Sequence, residues 1–326
     1  MKQIKKPLFK VIYAETDITK DITDSVESIT YTDHQHGSAD DVQIVIADSL
    51  HIWRDEIVPV GGELFQIFIG FTEQDLLDLG TFEVDVPEYG LTDHKLTLNG
   101  SSTSIKKALK ENSVEKYNDK TLKEIVEHIA SKYGMTVAGN IESIKFERKT
   151  QNSSDLEFLR ELAEDYGYLL KVLDSTICFV PYADIDNGSI EVELKAEDLL
   201  DGSSLRNNEN KVYKSAEVSY HRHGKLNKIV VDSDTEVQTD NILKIKKRCE
   251  NKEQAKIMAK AHLWRVNREL ISGRFSVALK PDMISGITGK LVNAGKLSGS
   301  YQIKELVHSI SRDGSTTDME VYRAKS

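Results

Sequence analysis

The chain has 326 residues, of which 39% are apolar and 29% charged, with only five prolines, a composition that excludes a disordered or collagen-like polymer and suits two or three folded domains. Its 53 acidic residues exceed its 43 lysines and arginines, for a formal charge of -10, the wrong sign for a protein whose main task is gripping phosphates. The acidity sits at the front, where residues 1–100 hold 19 acids against 7 bases.

No apolar run approaches the roughly 20 residues that a membrane-crossing helix needs. The opening MKQIKKPLFKVIYAETD also lacks the apolar centre of a secretory signal, so neither a membrane segment nor secretion is expected. Cys178 and Cys249 stand far apart with no neighbour at CxxC spacing, which predicts two reduced, inert thiols rather than a disulfide or a zinc site.

The first hundred residues alternate apolar and polar side chains between turn formers, the pattern of half-buried strands. Val42, Ile44 and Ile46 form one such row. In ELFQIFIGF, Phe65, Ile67 and Ile69 share one face while Leu64 and Phe68 make the other face apolar too, so this strand is either central in the fold or at a subunit interface. Phe82, Val84 and Val86 follow Gly80, and a turn around YGLTDH leads to Leu96 and Leu98.

From about Ser104 the period becomes helical. Thr121 and Glu124 form a capping box ahead of Leu122, Ile125, Val126 and Ile129, with Gly134 as the stop, and Ser154 and Glu157 repeat the arrangement ahead of Leu159, Leu162 and Tyr166, with Gly167 as the stop. Strand patterns follow each helix. After AEDLLDGSSLRNNEN the strands resume, interrupted by a third helix capped by Asn251 and Gln254 and expected to end before Gly273.

The two strand-rich portions share a weak internal repeat. Gly80 precedes Phe82 and Val84 with Leu96 and Leu98 closing the unit, as Gly299 precedes Tyr301 and Ile303 with Met319 and Val321 closing it. Duplication and two generic hairpins both explain this.

Catalytic signatures are thin. The pairs His34/His36 and His221/His223 each lack a third metal ligand, and His128 and His262 lie on or beside helix stripes. Neighbouring acids such as Asp40/Asp41, Asp55/Glu56 and Glu164/Asp165 point in different directions on a strand or helix, so surface solvation explains them better than a hydrolytic pair. No GxSxG, Walker A, HExxH or dinucleotide-binding fingerprint is present. Trp53 and Trp264, the two tryptophans, give little basis for a carbohydrate-binding surface.

Four phrases, GSADDVQIVIADS, QNSSDLEFLRELAEDYGYLLKV, NKEQAKIMAKAHLWRVNRE and GKLSGSYQIKELVHSISRDGSTTDMEVYR, taken in that order, resemble the late control protein D family of phage tails, baseplate hub proteins related to the base of type VI secretion spikes. The resemblance implies an α+β fold of two tube-protein-like antiparallel β-barrel domains with an intervening α/β domain. The expected spans are 1–103, 104–200 and 201–326, the last carrying a helical insertion near 232–270. It implies a structural role without enzyme activity or cofactor. Three copies would present six similar barrels, joining a six-fold tail tube to a three-fold spike, in the baseplate of a phage tail or a contractile injection particle assembled in the bacterial cytoplasm.

The implied partners are two further copies of the chain, the tail tube protein, other baseplate proteins and a spike expected as a separate polypeptide because the chain stops at Ser326. Phe65, Ile67, Phe68 and Ile69 are the expected subunit-interface stretch. The acid-rich first portion admits two readings: Asp40, Asp41 and Asp48 line a channel through which DNA or another cargo passes without specific binding, or these acids merely solvate the exterior. The rival function is a tail-associated peptidoglycan hydrolase.

Overall fold

Alternating side chains become strands wherever one row is buried in a shared core and the other faces water. The computed structural model describes residues 6–103, 107–173, 175–186, 188–222 and 225–324. The opening portion contains β1 (Leu8–Tyr13), β2 (Thr16–Asp17), the one-turn helix α1 (Thr19–Ile22), β3 (Val26–His34), β4 (Asp41–Ala47), β5 (Leu64–Gly70), β6 (Leu77–Val84), β7 (Glu88–Gly90) and β8 (Lys95–Ser102). Val42, Ile44, Ile46, Phe65, Ile67, Ile69, Phe82, Val84, Leu96 and Leu98 meet in one core. The expected alternation through Val86 stops early: β6 ends at Val84 and Val86 is 73% exposed, because Pro87 supplies no N–H and breaks the ladder.

The middle portion contains β9 (Glu115–Thr121), α2 (Leu122–Lys132), β10 (Thr136–Ala138), β11 (Lys145–Gln151), α3 (Asp155–Tyr166), β12 (Tyr168–Leu173), β13 (Thr176–Pro181) and α4 (Tyr182–Asp186). Thr121 and Glu124 close the full reciprocal box on α2, and the Ser154 hydroxyl accepts the Glu157 N–H at the start of α3. Gly167 ends α3 in the left-handed conformation. Leu122, Ile125, Val126 and Ile129 pack with Phe158, Leu159 and Leu162 in a second core.

The last third contains β14 (Ile190–Lys195), β15 (Ser204–Asn207), β16 (Ser215–Arg222), β17 (Lys225–Asp232), β18 (Ile242–Cys249), α5 (Lys252–Asn267), β19 (Ile271–Ala278), β20 (Thr288–Val292), β21 (Gly299–Ser311) and β22 (Gly314–Arg323). Packing departs from the expected spans in two places. β14 pairs with β20, so residues before 201 join the final sheet, while Ala216, Val218, Ile245, Cys249, Ala255, Met258 and Leu263 are buried in the middle core, so β16 to α5 pack there.

Gly273 is not the stop of α5. That helix ends at Asn267, whose side chain donates to the Tyr213 carbonyl and accepts the Tyr213 N–H. Gly273 lies inside β19, where a Cβ would drive into the Ser204 carbonyl of β15.

The strand-rich halves have the same topology. Leaving aside the short β2 and β7, the first runs β1-β5-β6-β8-β4-β3 and the second β14-β20-β21-β22-β19-β15. In order of appearance both are first, fourth, fifth, sixth, third, second. The one difference is that β14 runs parallel to β20 whereas β1 is antiparallel to β5.

Details agree as well. Gly62 N–H donates to the Val84 carbonyl and Gly286 N–H to the Ile303 carbonyl, each at 2.8 Å, and both glycines have positive φ, +95° and +86°. Val84 faces Gly100 and Ile303 faces Val321, so the counterparts of Met319 and Val321 are Leu98 and Gly100, two residues beyond the sequence match to Leu96 and Leu98. Each half then carries one extra residue opposite its sixth strand, between Val84 and Glu88 and between Ile303 and Glu305.

The expected separate barrels take a different form in the strand pairing. Among the described residues neither half closes on itself, and both are arms of one continuous sheet joined where β21 pairs antiparallel with β3 through seven residues, Glu305–Ser311 against Ser28–His34. The 13-residue β21 bridges the two cores, with Tyr301, Ile303 and Leu306 in one and Ile310 in the other.

Candidate functional site

In the expected interface stretch, Phe65, Ile67 and Ile69 are buried in the chain's own first core, and Phe65 stacks on Phe82 at 5.8 Å. Only the opposite row of β5 reaches the surface: Leu64 is 48% exposed, and half-buried Phe68 lies beneath the Lys10 ammonium at 5.6 Å. The two faces of this strand therefore differ, with an inner row that builds the core and an outer row that is partly exposed.

Of the acids named for a channel, Asp48 is buried, accepting the Trp53 N–H and facing Arg54, and Asp40 is turned toward Lys171. These two do not line an open surface. Asp41 does face outward, hydrogen-bonded to His34 at 3.0 Å.

The feature that ties the fold together is a charged junction. Asp33 from β3 is buried and bonds the Lys171 ammonium of β12, the Ser285 N–H at 2.6 Å and the Ser285 hydroxyl at 2.7 Å. Asp40 approaches the same ammonium at 3.5 Å. One cluster thus joins the opening, middle and closing portions. Burial alone would raise both carboxyls. At Asp33, Lys171 and the two Ser285 donors outweigh it and hold the group below its ordinary value, whereas Asp40 is raised by its burial and by neighbouring Asp33.

A second connection uses the turn HQHG. The Leu170 N–H donates to His36 Nδ1 at 2.8 Å, Gly37 N–H donates to the Leu170 carbonyl, and His36 Nε2 lies 3.7 Å from Glu164. Glu164 also bonds Arg265, while its neighbour Asp165 turns the other way to Lys247 at 2.8 Å and His262 at 3.0 Å. The acid pair is therefore a double clamp between α3, α5, β18 and the opening sheet.

His36 and Arg265 draw Glu164 down to about 2, and His262 and Lys247 overcome burial to hold Asp165 below its ordinary value. A carboxyl lowered by folding contributes stability that is complete above its unfolded value and vanishes as pH falls to its folded value. Acid unfolding is therefore expected to steepen between about pH 4.5 and 2. Glu164 should supply about 1–2 kcal/mol of this after solvent screening. Circular dichroism of Glu164→Gln against pH checks this, and an unchanged acid limb refutes the assignment.

Two further histidines are held by acids. His34 bridges Asp41 and Glu305, and its hydrogen bond to Asp41 raises it. His128 bonds Glu115 at 2.8 Å. The side chain of His221 and the whole of His223 lie outside the described residues. Among the described residues no group of three or more His, Cys, Asp or Glu could hold a metal, and no helix is long and apolar enough to cross a membrane. Trp53 is buried, and Trp264 stacks on Tyr182 at 3.7 Å, so neither offers a free sugar platform. A cleft of about 930 Å³ includes Glu269 and Glu320, which Lys304 ties together at 3.1 and 3.5 Å.

Sequence reasoning missed Lys171, Asp33 and Ser285. A signal existed for the first: Lys171 is the one charge in the strand YLLKVL, between buried Leu170 and Val172, and a charge held there needs a counter-ion.

The fold is that of phage tail proteins. The chain superposes on the 43 kDa tail protein of prophage MuSo2 from Shewanella oneidensis with a TM-score of 0.73 at 16% identity, over 98% of this chain and 99% of that one. It also superposes on the E. coli c3393 protein, a type VI secretion system component described as similar in structure to the T4 bacteriophage tail proteins gp27 and gp5, with a TM-score of 0.54 at 13% identity, over 93% and 74% of the two chains.

In sequence, the chain is similar to the probable baseplate hub proteins of Escherichia phages 186 and P2, 28% identical over 177 residues and 29% over 178. Each match covers 53% of this chain and 45% of the relative, so it spans less than half the relative's length. No protein-family model matches the chain. The resemblance to the baseplate hub family stands on these likenesses.

Proposed function

We propose that the chain is a structural baseplate hub protein of a phage tail or a related contractile injection particle, and that three copies form a ring of six like modules between a six-fold tube and a three-fold spike. The observation that carries this reading is the identical six-strand order of the two halves, because a chain with two equivalent modules presents six quasi-equivalent units when it trimerises. The hub similarity of the phage 186 and P2 proteins supports the same role. The charged junction holds the two modules of each copy in a fixed relation, which a rigid adaptor requires. Location in the tail particle and contact with tube, spike and other baseplate proteins follow from this role.

Solution mass of the purified chain, alone and with tube and spike proteins, tests the proposal. A species of three times 36.7 kDa is expected in at least the mixed sample. A chain that stays monomeric with both partners, or that forms dimers, overturns the trimer.

A further inference from the structure

The duplicated topology specifies where one copy meets the next. Inside the chain the two modules join by pairing the second strand of the first module, β3, with the far half of the fifth strand of the second, β21. The same joint made outward from each module would use the second strand of the second module, β15, and the far half of the fifth strand of the first. In the first module the extra residue after Val84 and Pro87 interrupt that fifth strand, and its far half is the short β7.

Both of these strands have an open edge. Among the described residues β15 pairs with β19 alone and β7 with β8 alone. We infer that β15 of one copy adds antiparallel to β7 of the next, reproducing between chains the seam that β3 and β21 make within one. The inference rests on the hub reading for the number of copies, not for the identity of the edges.

The ladders fix the register. Moving outward from Val84 and Ile303, Gly100 corresponds to Val321, Val42 to Gly273, and Tyr31 to Leu205. In the fifth strands Tyr89 corresponds to His308, because they face Leu96 and Thr317, themselves counterparts. Within the chain Tyr31 faces His308 and Thr32 faces Val307. Between chains Leu205 therefore faces Tyr89, Arg206 faces Glu88, and Ser204 faces Gly90.

Two independent properties agree with that register. The first is the direction of the backbone groups, which alternates along a strand. Asp48 N–H donates to His94 and Asp85 N–H to Asn99, which assigns Glu88 and Gly90 to β8 and leaves the Tyr89 N–H and C=O facing the open edge. Asn208 N–H donates to Leu270, which assigns Ser204 and Arg206 to β19 and leaves those of Leu205 facing outward. The pair that must exchange hydrogen bonds is the pair whose groups are free.

The second property is charge. Arg206 and Glu88 are both exposed, neither makes an ion pair among the described residues, and the register sets them opposite each other. The seam stops after three pairs because Pro87 would face Asn207 and has no N–H to give. It is shorter than the seven-residue internal seam, so assembly should depend on concentration.

The test is a directed disulfide in the full chain. Directly opposite residues in such a pair have Cβ atoms about 4.5–5.5 Å apart, close to the separation that a disulfide needs. With Cys178→Ser as background and Cys249 buried, Glu88→Cys plus Arg206→Cys is oxidised at the highest soluble concentration and run without reductant. Covalent dimers and trimers are expected, and neither single cysteine variant should give the trimer. In parallel, Glu88→Arg alone should weaken association about tenfold, and adding Arg206→Glu should restore it.

Trimers in solution without the cross-link would overturn the edge pairing while leaving the hub reading intact. A cross-linked ladder running past the trimer would confirm the pairing and overturn the three-fold ring. Monomers that neither associate nor cross-link, in a repeat of the oxidation with tube and spike proteins present, would overturn both.

Discussion

Lys171→Met is expected to destabilise the fold by about 3–5 kcal/mol, read as a lower urea midpoint by circular dichroism. Methionine keeps the length and apolar stem of lysine, so packing in β12 survives and the loss isolates the charge. Without the ammonium, Asp33 remains buried beside Asp40 with only Ser285 to bond it, and two carboxylates face each other with no cation between them. The penalty requires both to be ionised. Asp40 is the group already raised by its surroundings, so the loss should shrink as pH falls toward the acid range and grow toward neutrality. Adding Asp33→Asn should recover part of the stability. A Lys171→Met chain as stable as the parent would remove the junction from any account of how the three portions are held.

Phe65→Ala is expected to cost about 3–5 kcal/mol and Ile67→Ala about 2–5 kcal/mol, while Phe68→Ala costs under about 1 kcal/mol. The first two empty a core in which Phe65 packs on Phe82 and against Gly100, a position where any Cβ would strike the Phe65 ring. The third removes a half-buried ring on the outer row, beneath the Lys10 ammonium. Urea titration of the three variants separates core from surface, and equal losses would show that β5 is buried on both sides. If the outer row of β5 is a subunit contact, Phe68→Ala with Leu64→Ser lowers the trimer fraction without moving the midpoint.

Much of the local structure was legible. The capping boxes at Thr121 and Ser154 and the stop at Gly167 are short-range chemistry, and a few neighbouring residues contain all of it. The stop expected at Gly273 failed because that glycine answers a distant demand, the approach of the β15 backbone, which no window around it records. The acid pair Glu164/Asp165 points two ways, as the helical period predicts, but both members are tied to basic side chains where solvent was expected. Its partners Arg265, Lys247 and His36 are distant in sequence and reach it only after α3 packs on α5.

The strand Leu64–Gly70 shows the same division. Its pattern announced two apolar faces but could not say which face the chain would bury for itself.

What the amino-acid order determined alone is the alphabet of elements: where strands alternate, where helices start, and that a glycine-led strand recurs near each end. These depend on side-chain period and on contacts a few residues apart. What only the tertiary structure decided is that the two ends share one strand order, that they meet along β3 and β21, and that Asp33, Lys171 and Ser285 converge on one point. Register between distant strands is set by the summed burial of many side chains and by hydrogen bonds that exist only once both partners are in place, so no local stretch of sequence carries it.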